Sequence, residues 1–178
     1  MRLYFPTVLG DALYCHQPLC QELLDQQFKF ILVCRPESHT TLYEHMEGLD
    51  LPTFTTKRWT GKVEETYTYR YLNGVPLRDS EDALWVNWCE ITVSRPDGKV
   101  TYKNSFITNH LLSDENVAEM VLAGRARWKV ENENNNTLKP KGYNLEHHFG
   151  HGKQHLSSGL ATLNILSLLF HTLLELLD

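Results

Sequence analysis

Residues 124–155 bring cations, acids and histidines together in one segment, GRARWKVENENNNTLKPKGYNLEHHFGHGKQH. Carboxylates beside arginine and lysine suit metal-assisted chemistry on a phosphate backbone, because the acids can bind metal ions and the cations can hold phosphates. A second candidate lies far upstream, where Asp11 directly follows an apolar run. Ligand sites in open α/β sheets form at the carboxyl ends of strands, so Asp11 could share a site with a downstream acid.

Helical spacing decides which downstream acids can act together. At about 100° per residue, Arg127, Glu131 and Asn135 fall on one face of a helix, and Glu133 falls on nearly the opposite face. One glutamate can therefore point into a site while the other faces elsewhere. The same spacing also fits an exposed helix on which Glu131 pairs with Arg127 and Glu133 pairs with Lys129, and this alternative stays open.

A strand-end Asp11 and a helical Glu131 could converge on one divalent metal. Hard carboxylate oxygens suit Mg²⁺ or Mn²⁺. Two-metal phosphoryl transfer uses ions about 3.5–4 Å apart and normally needs a third carboxylate. Residues 1–10 contain no acid that could supply it. The plainer alternative for Asp11 is a turn residue or the N-cap of the next helix.

The formal net charge of -5 does not indicate a nucleic-acid partner. Such binding would have to come from local basic patches. Each of two candidate patches surrounds a tryptophan: Lys57, Arg58 and Lys62 around Trp59, and Arg125, Arg127 and Lys129 around Trp128. The alternative is a solvated charged face with the tryptophan in the core.

Cysteine and histidine spacing gives weaker metal signals. The four cysteines form no CxxC pair, which disfavours a zinc ribbon and fits reduced thiols in a cytosolic protein. His151 and His155 would share a helical face, but Gly150 and Gly152 weaken a helix there. A role near phosphates or in packing is favoured for the histidine cluster, whose members are His147, His148, His151 and His155.

Hydrophobic patterning predicts an α/β opening followed by a β-rich block. A strand at 3–9, a helix at 19–27, an apolar strand at 28–33 and a helix at 38–47 are typical of a parallel sheet. Alternating runs at 53–60, 64–72, 84–94 and 100–108 predict an antiparallel insertion, whose last strand could rejoin the main sheet. Asn73-Gly74 and Asp97-Gly98 are predicted turns, the second within a hairpin.

The remainder of the chain is predicted to be helical. Ser113 is a good N-cap for a helix running through at least Val130, after which an Asn-rich run favours fraying and Pro140 ends it. The apolar segment 156–177 carries eight polar residues, which argues against a membrane span. It predicts a helix buried in a core or against a partner.

These residues resemble the DDE-type transposases of bacterial insertion sequences, whose catalytic core is RNase H-like. RWKVENENNNTLK is similar to the family's Arg-Trp-x-Ile-Glu helix followed by Leu-Lys, and GYNLEHHFGHGKQHL resembles the tail of one branch. GDALYC resembles the second catalytic aspartate with its following tyrosine. The β-rich block, approximately 53–108, matches the insertion of these enzymes, so the resemblance covers nearly the whole chain.

The resemblance implies that Asp11 is the second metal-binding acid and Glu131 the third, with Mg²⁺ or Mn²⁺ as cofactor. Arg127 and Lys139 would hold DNA phosphates, and Arg125 and Lys129 would add to the DNA-binding surface. The implied function is DNA transposition by metal-dependent strand cleavage and transfer, in the bacterial cytoplasm at the nucleoid and away from membranes. The implied partners are transposon ends, target DNA, and further copies of the chain or a full-length transposase.

The chain departs from the family pattern at three places. Gly124 stands where the family has tyrosine, three residues before Arg127. Lys139 lies one residue further from Glu131 than usual, which makes Glu133 the alternative ligand, although the Arg-x-x-x-Glu spacing favours Glu131. The family's first catalytic Asp and opening strands would precede Met1, which leaves a sheet edge exposed. Residues 1–178 are thus expected to form one partial catalytic domain with an incomplete RNase H-like core, inactive alone. The alternative is a non-catalytic remnant that binds DNA or a transposase.

Overall fold

The structure, a computed structural model, describes residues 6–129, 136–139, 142–146, 150, 152 and 154–176. The chain divides into two compact units, Met1–Arg127 and Trp128–Asp178. The first unit is a mixed α/β sheet structure, and the described part of the second is helical. The predicted α/β class is therefore confirmed at this coarse level, and the RNase H-like core stays a prediction.

One mixed sheet of six strands organises the first unit. The strands are β1 (Thr7–Gly10), β2 (Lys29–Val33), β3 (Thr53–Trp59), β4 (Glu64–Pro76), β5 (Trp85–Ser94) and β6 (Val100–Thr108). Their order is β1-β2-β6-β5-β4-β3. Only the β1–β2 pair is parallel among these neighbours. The parallel opening and the antiparallel block are confirmed, and β6 does rejoin the main sheet by pairing with β2.

Strand β2 is buried on both faces, as its continuous apolar sequence predicts. Phe30 and Leu32 pack into one hydrophobic cluster with Trp88, whereas Ile31 and Val33 pack into a second cluster on the other face. The alternation follows from the two-residue period of a strand, which sends successive side chains to opposite faces. Both faces of the sheet are therefore covered at β2.

The Asn73-Gly74 turn prediction is wrong, because both residues lie inside β4 at a bulge in its pairing with β5. The Asn73 amide exchanges two hydrogen bonds of 2.9 Å with the backbone of Leu112, which holds the bulge in place. Gly74 has φ +74°, a conformation that favours glycine in a bulge as well as in a turn. The Asp97-Gly98 hairpin between β5 and β6 is confirmed.

Helices α1 (Gln17–Asp25) and α2 (Thr40–Met46) confirm the first two helix predictions within a few residues. Helix α3 (Val117–Ala126) begins later and ends earlier than predicted. Its N-cap is Asn116 rather than Ser113, because the Asn116 side chain accepts the Ser113 N–H and closes a turn there. The chain turns at Arg127 and is helical again at 128–129, and Val130 lies outside the described residues.

Helix α3 approaches the sheet most closely at Gly124, which is buried. A Cβ atom there would lie 2.8 Å from the ring of Phe106 on β6 and 3.0 Å from Ile31 Cγ2 on β2. Both neighbours are buried in the core and cannot easily move. A side chain at this position would therefore collide with the sheet, so glycine is required for the close approach of helix and sheet.

The second unit contains a short helical segment, α4 (Asn136–Leu138), and the long α5 (Leu156–Glu175). Within it the hydroxyl of Tyr143 is hydrogen-bonded to Nδ1 of His171 on α5. No residue of α5 is buried, so the expected burial in a core is wrong and coverage by a partner stays a prediction. By length and composition alone, α5 is apolar enough to cross a membrane. The predicted helix end at Pro140 lies outside the described residues.

The contact at Gly124 predicts the outcome of a single methyl addition. Gly124→Ala should lower the free energy of unfolding by about 1–3 kcal/mol through overpacking, although alanine is the better helix former. Urea unfolding followed by tryptophan fluorescence measures the change. Gly159→Ala is the matched control, because a Cβ there meets nothing within 4 Å and should leave the urea transition of the first unit unchanged. Unchanged or raised stability of Gly124→Ala would contradict the close packing.

Candidate functional site

Asp11 lies immediately after β1, at the carboxyl end of a parallel strand, as predicted. Its Oδ1 accepts the Ala12 N–H at 2.7 Å and thereby caps the short 3-10 turn Ala12–Tyr14. The plainer expectation of a capping aspartate is thus also correct. Capping occupies only one carboxylate oxygen, and the side chain is 40% exposed, so Oδ2 remains able to take part in a site.

Arg127 brings a cation to the same place from the other end of the first unit. It follows the last residue of α3, and its Nη1 lies 3.7 Å from Asp11 Oδ2. The turn that ends α3 therefore coincides with the contact to the β1 end. Asp11 and Arg127 were both predicted as site residues on sequence grounds, and the structure brings them together although the whole sheet separates them in sequence.

The predicted glutamates cannot be placed, because Glu131, Glu133 and Asn135 lie outside the described residues. Within the described part of the chain, no group of three potential ligands includes Asp11. Asp11 fits Mg²⁺ or Mn²⁺ as one ligand, since it offers a partly exposed hard oxygen. Convergence of Glu131 on the same metal stays a prediction.

The remaining predicted cations lie in different surroundings. The Arg125 guanidinium stacks 4.3 Å from the ring centre of Tyr102 on β6, a cation–π contact. Lys129 is exposed. In the second unit, Lys139 forms an ion pair of 2.8 Å with Glu146. Their roles in holding phosphates therefore stay predictions.

The two tryptophans of the basic patches are on the surface rather than in the core. Trp59, at the end of β3, is 66% exposed, and Trp128 is 46% exposed. The expectation of a tryptophan in the core is therefore wrong at both positions. Lys57, in the first patch, pairs with Glu64 across the β3–β4 hairpin at 3.1 Å. Exposed aromatic rings beside cations are the surface type on which unpaired bases can stack.

A cluster of potential metal ligands was missed by the sequence reasoning. Cys15, Cys34 and His39 are all buried, and their ligand atoms lie within 4.8 Å of one another. A contact with Cys34, together with burial, raises the pKa of the Cys15 thiol well above its ordinary value. Burial also raises the pKa of the nearby Cys20 thiol to about 12. The positions of the two cysteines after predicted strands could have indicated the cluster. Cys15 follows β1 and Cys34 follows β2, and the carboxyl ends of these parallel strands lie at the same edge of the sheet.

Glu90 is a buried acid that the sequence analysis did not single out. It lies on β5 and is ion-paired with Arg70 at 2.5 Å and with Lys103 at 3.1 Å. The group borders a cavity of about 520 Å³ that is also lined by Tyr43 and Trp88. Two cations satisfy this carboxylate, so its surroundings are explained by structural pairing across β4, β5 and β6.

A stability measurement can distinguish a functional role of the Asp11–Arg127 pair from a structural one. If the role is functional, the pair should contribute little to the free energy of unfolding. Asp11→Asn should lower the free energy of unfolding by less than about 1 kcal/mol, because the pair is long and partly exposed, and asparagine keeps the capping oxygen. Urea denaturation measures the change in the free energy of unfolding. Glu64→Gln, which removes the partner of Lys57 from another exposed ion pair, is the matched control. A loss of about 3 kcal/mol or more would show that Asp11 is there to hold the fold together.

Comparison with known proteins adds no family assignment. The chain matches no protein-family model, and no curated protein matches it significantly.

Proposed function

We propose that this chain is part of the catalytic domain of a DDE-type transposase, which cleaves and joins DNA strands with Mg²⁺ or Mn²⁺. The observation that carries the proposal is the convergence of Asp11 and Arg127 at the carboxyl end of β1. These residues were selected from separate motifs, and the fold brings their side chains within 3.7 Å of each other. The contact supports a shared site for a metal ligand and a phosphate-binding cation.

In this proposal each residue has a distinct task. Asp11 Oδ2 and Glu131 bind the metal, whose role when bound is to activate the attacking oxygen and stabilise the leaving oxygen. Arg127 holds a DNA phosphate, and its guanidinium suits this task because two parallel N–H groups can meet two phosphate oxygens. Before DNA binds, the ion pair keeps Arg127 beside Asp11, so the cation is already positioned.

The topology is compatible with further strands from a longer protein. Among the described strands, β1 lies at one edge of the sheet, and its partner on the inner side is β2. An unpaired strand edge offers N–H and C=O groups to another strand. The strands expected to carry the first catalytic Asp would add at this edge, where that carboxylate could reach Asp11. We therefore expect residues 1–178 alone to bind DNA without cleaving it.

A non-catalytic role is the second candidate, and a different observation favours it. Trp59 and Trp128 are exposed beside cations, so the chain carries surfaces suited to DNA independently of any metal. Under this alternative, DNA binding would be salt-sensitive. A longer protein that also contains the expected strands with the first catalytic Asp would still not cleave DNA. Metal-dependent cleavage therefore separates the two functions.

The catalytic proposal predicts a difference between two neighbouring glutamates. The test uses a longer protein in which the expected strands and their Asp stand before this chain. In it, Glu131→Gln and Asp11→Asn should each abolish Mg²⁺-dependent strand cleavage, a loss of at least about a hundredfold. DNA affinity should be retained. Cleavage of end-labelled DNA and a gel-shift assay measure both properties. Glu133→Gln is the matched control and should cleave normally. Cleavage that survives Glu131→Gln and fails in Glu133→Gln would reassign the ligand, and survival in both would refute the site.

The proposed role of Arg127 predicts a change in the salt dependence of DNA binding by this chain. Arg127→Gln should weaken binding to all sequences alike and reduce the slope of log affinity against log salt by about 1. Fluorescence anisotropy at several salt concentrations measures it. Arg78→Gln removes an exposed cation that pairs with Asp82, and it should leave the slope unchanged. Equal slopes for both variants would argue against a phosphate contact at Arg127.

A further inference from the structure

Three buried side chains come together beneath the turn that carries Asp11. Cys15 directly follows the 3-10 turn Ala12–Tyr14, Cys34 directly follows β2, and His39 directly precedes α2. Cys34 is fully buried, Cys15 is 5% exposed and His39 is 8% exposed. Their ligand atoms, two sulfurs and one ring nitrogen, lie within 4.8 Å of one another. The group joins the β1–α1 connection, which carries Cys15, to the β2–α2 connection, which carries Cys34 and His39.

His39 supplies an independent indication that something belongs in this group. Its Nε2 is the one buried side-chain nitrogen or oxygen without a hydrogen-bond partner among the described residues. A buried polar atom left unpaired destabilises the folded state, and such atoms are rare in native proteins. The side chain does not cap α2 either. The imidazole interacts electrostatically with the Cys15 thiol and with the backbone of Leu77, and a metal ion held together with Cys15 would give Nε2 a partner.

We propose that Cys15, Cys34 and His39 bind a zinc ion, which cross-links the Asp11 turn, the end of β2 and the start of α2. Two thiolates and an imidazole are soft and borderline donors that favour Zn²⁺ over Mg²⁺. Bond lengths of about 2.0–2.3 Å hold tetrahedral ligands roughly 3.3–3.8 Å apart, so small side-chain rotations complete the set. Each thiol loses its proton to solvent when it binds the metal, and no redox step is involved.

The backbone around these ligands is already held in place. The Cys34 N–H donates to the carbonyl of Ser105 at 2.9 Å, and the Cys34 carbonyl accepts the Tyr43 hydroxyl at 3.0 Å. A further sulfur, Cys20, is fully buried and interacts electrostatically with Cys15, but it is not among the three residues whose ligand atoms lie within 4.8 Å of one another. Cys89 is equally buried but belongs to the hydrophobic cluster on the other face of the sheet. Because zinc would fix Cys15, it would also hold the turn that begins at Asp11, without depending on any role of the chain in transposition.

Zinc content tests the proposal on the full chain. Protein produced with zinc and dialysed against metal-free buffer should retain about one zinc per chain, measured by mass spectrometry of the metal, since structural sites bind tightly. Cobalt in place of zinc should give the visible absorption of a tetrahedral thiolate site. Cys15→Ser, Cys34→Ser and His39→Gln should each lose both signals. Cys89→Ser should keep them. His39→Cys should also keep them, because a third thiolate can replace the imidazole.

Several outcomes would overturn the site. One is wild-type protein that folds and holds less than about a tenth of a zinc per chain after this dialysis. Another is zinc that survives Cys15→Ser and Cys34→Ser but disappears on replacing His147 and His148, which would place the metal in the histidine-rich tail. A third is a count of two free thiols in denaturant, since this would indicate a Cys15–Cys34 disulfide in place of metal ligation. If the serine variants do not fold, the cobalt spectrum of the wild type and of His39→Cys decides the question.

Discussion

The pairing of β2 is the constraint on which the rest of the first unit depends. This strand pairs in parallel with β1 on one side and antiparallel with β6 on the other, so it joins the α/β opening to the β-rich block. Side chains continue the pairing of β2 with β6 beyond Thr108, the last residue of β6. The Thr108 hydroxyl donates to the Phe30 carbonyl, and the Phe30 N–H donates to Asn109 Oδ1. Helix α3 packs on β2 and β6 at Gly124, and this close approach brings Arg127 over the end of β1. The contact between Arg127 and Asp11 therefore depends on the packing of α3 on one of the two buried faces of β2.

Hydrophobic periodicity was sufficient to predict the strands and the first two helices. The FKFILV run predicted a doubly buried strand, and the alternation from 53 to 108 predicted four antiparallel strands with nearly correct bounds. The failures have physical reasons that depend on distant residues. Asn73-Gly74 became a bulge because Leu112 satisfies the Asn73 amide, and α3 began late because Asn116 closes a turn with Ser113. Local propensity does not include such partners.

Candidate site residues were selected where a strand end or a motif marked them. Asp11 was selected because it follows a predicted strand, and Arg127 because it lies in a charged helical segment, and their functional roles stay predictions. The cluster of Cys15, Cys34 and His39 was missed because the search looked for a local spacing motif, whereas the ligands come from two connections that strand β2 and helix α1 separate in sequence. Parallel strands bring their carboxyl ends to one edge, so Asp11 and this cluster are neighbours by topology. Both proposed metal environments use that edge, with oxygen ligands toward solvent and sulfur ligands in the core.

Metal-directed backbone cleavage tests the central claim most directly, namely that Asp11 and the segment following Arg127 share one divalent metal. With Fe²⁺ in place of Mg²⁺, added hydrogen peroxide is reduced at the bound iron to hydroxide and a hydroxyl radical, ascorbate returns Fe³⁺ to Fe²⁺, and the radicals cut the polypeptide close to the ion. Mass spectrometry locates the cuts. We predict two sets of cuts, near Asp11 and near residues 127–131, both suppressed by excess Mg²⁺. Cuts at only one of these segments, cuts confined to the region of Cys34 and His39, or cuts that Mg²⁺ does not suppress would contradict the shared site.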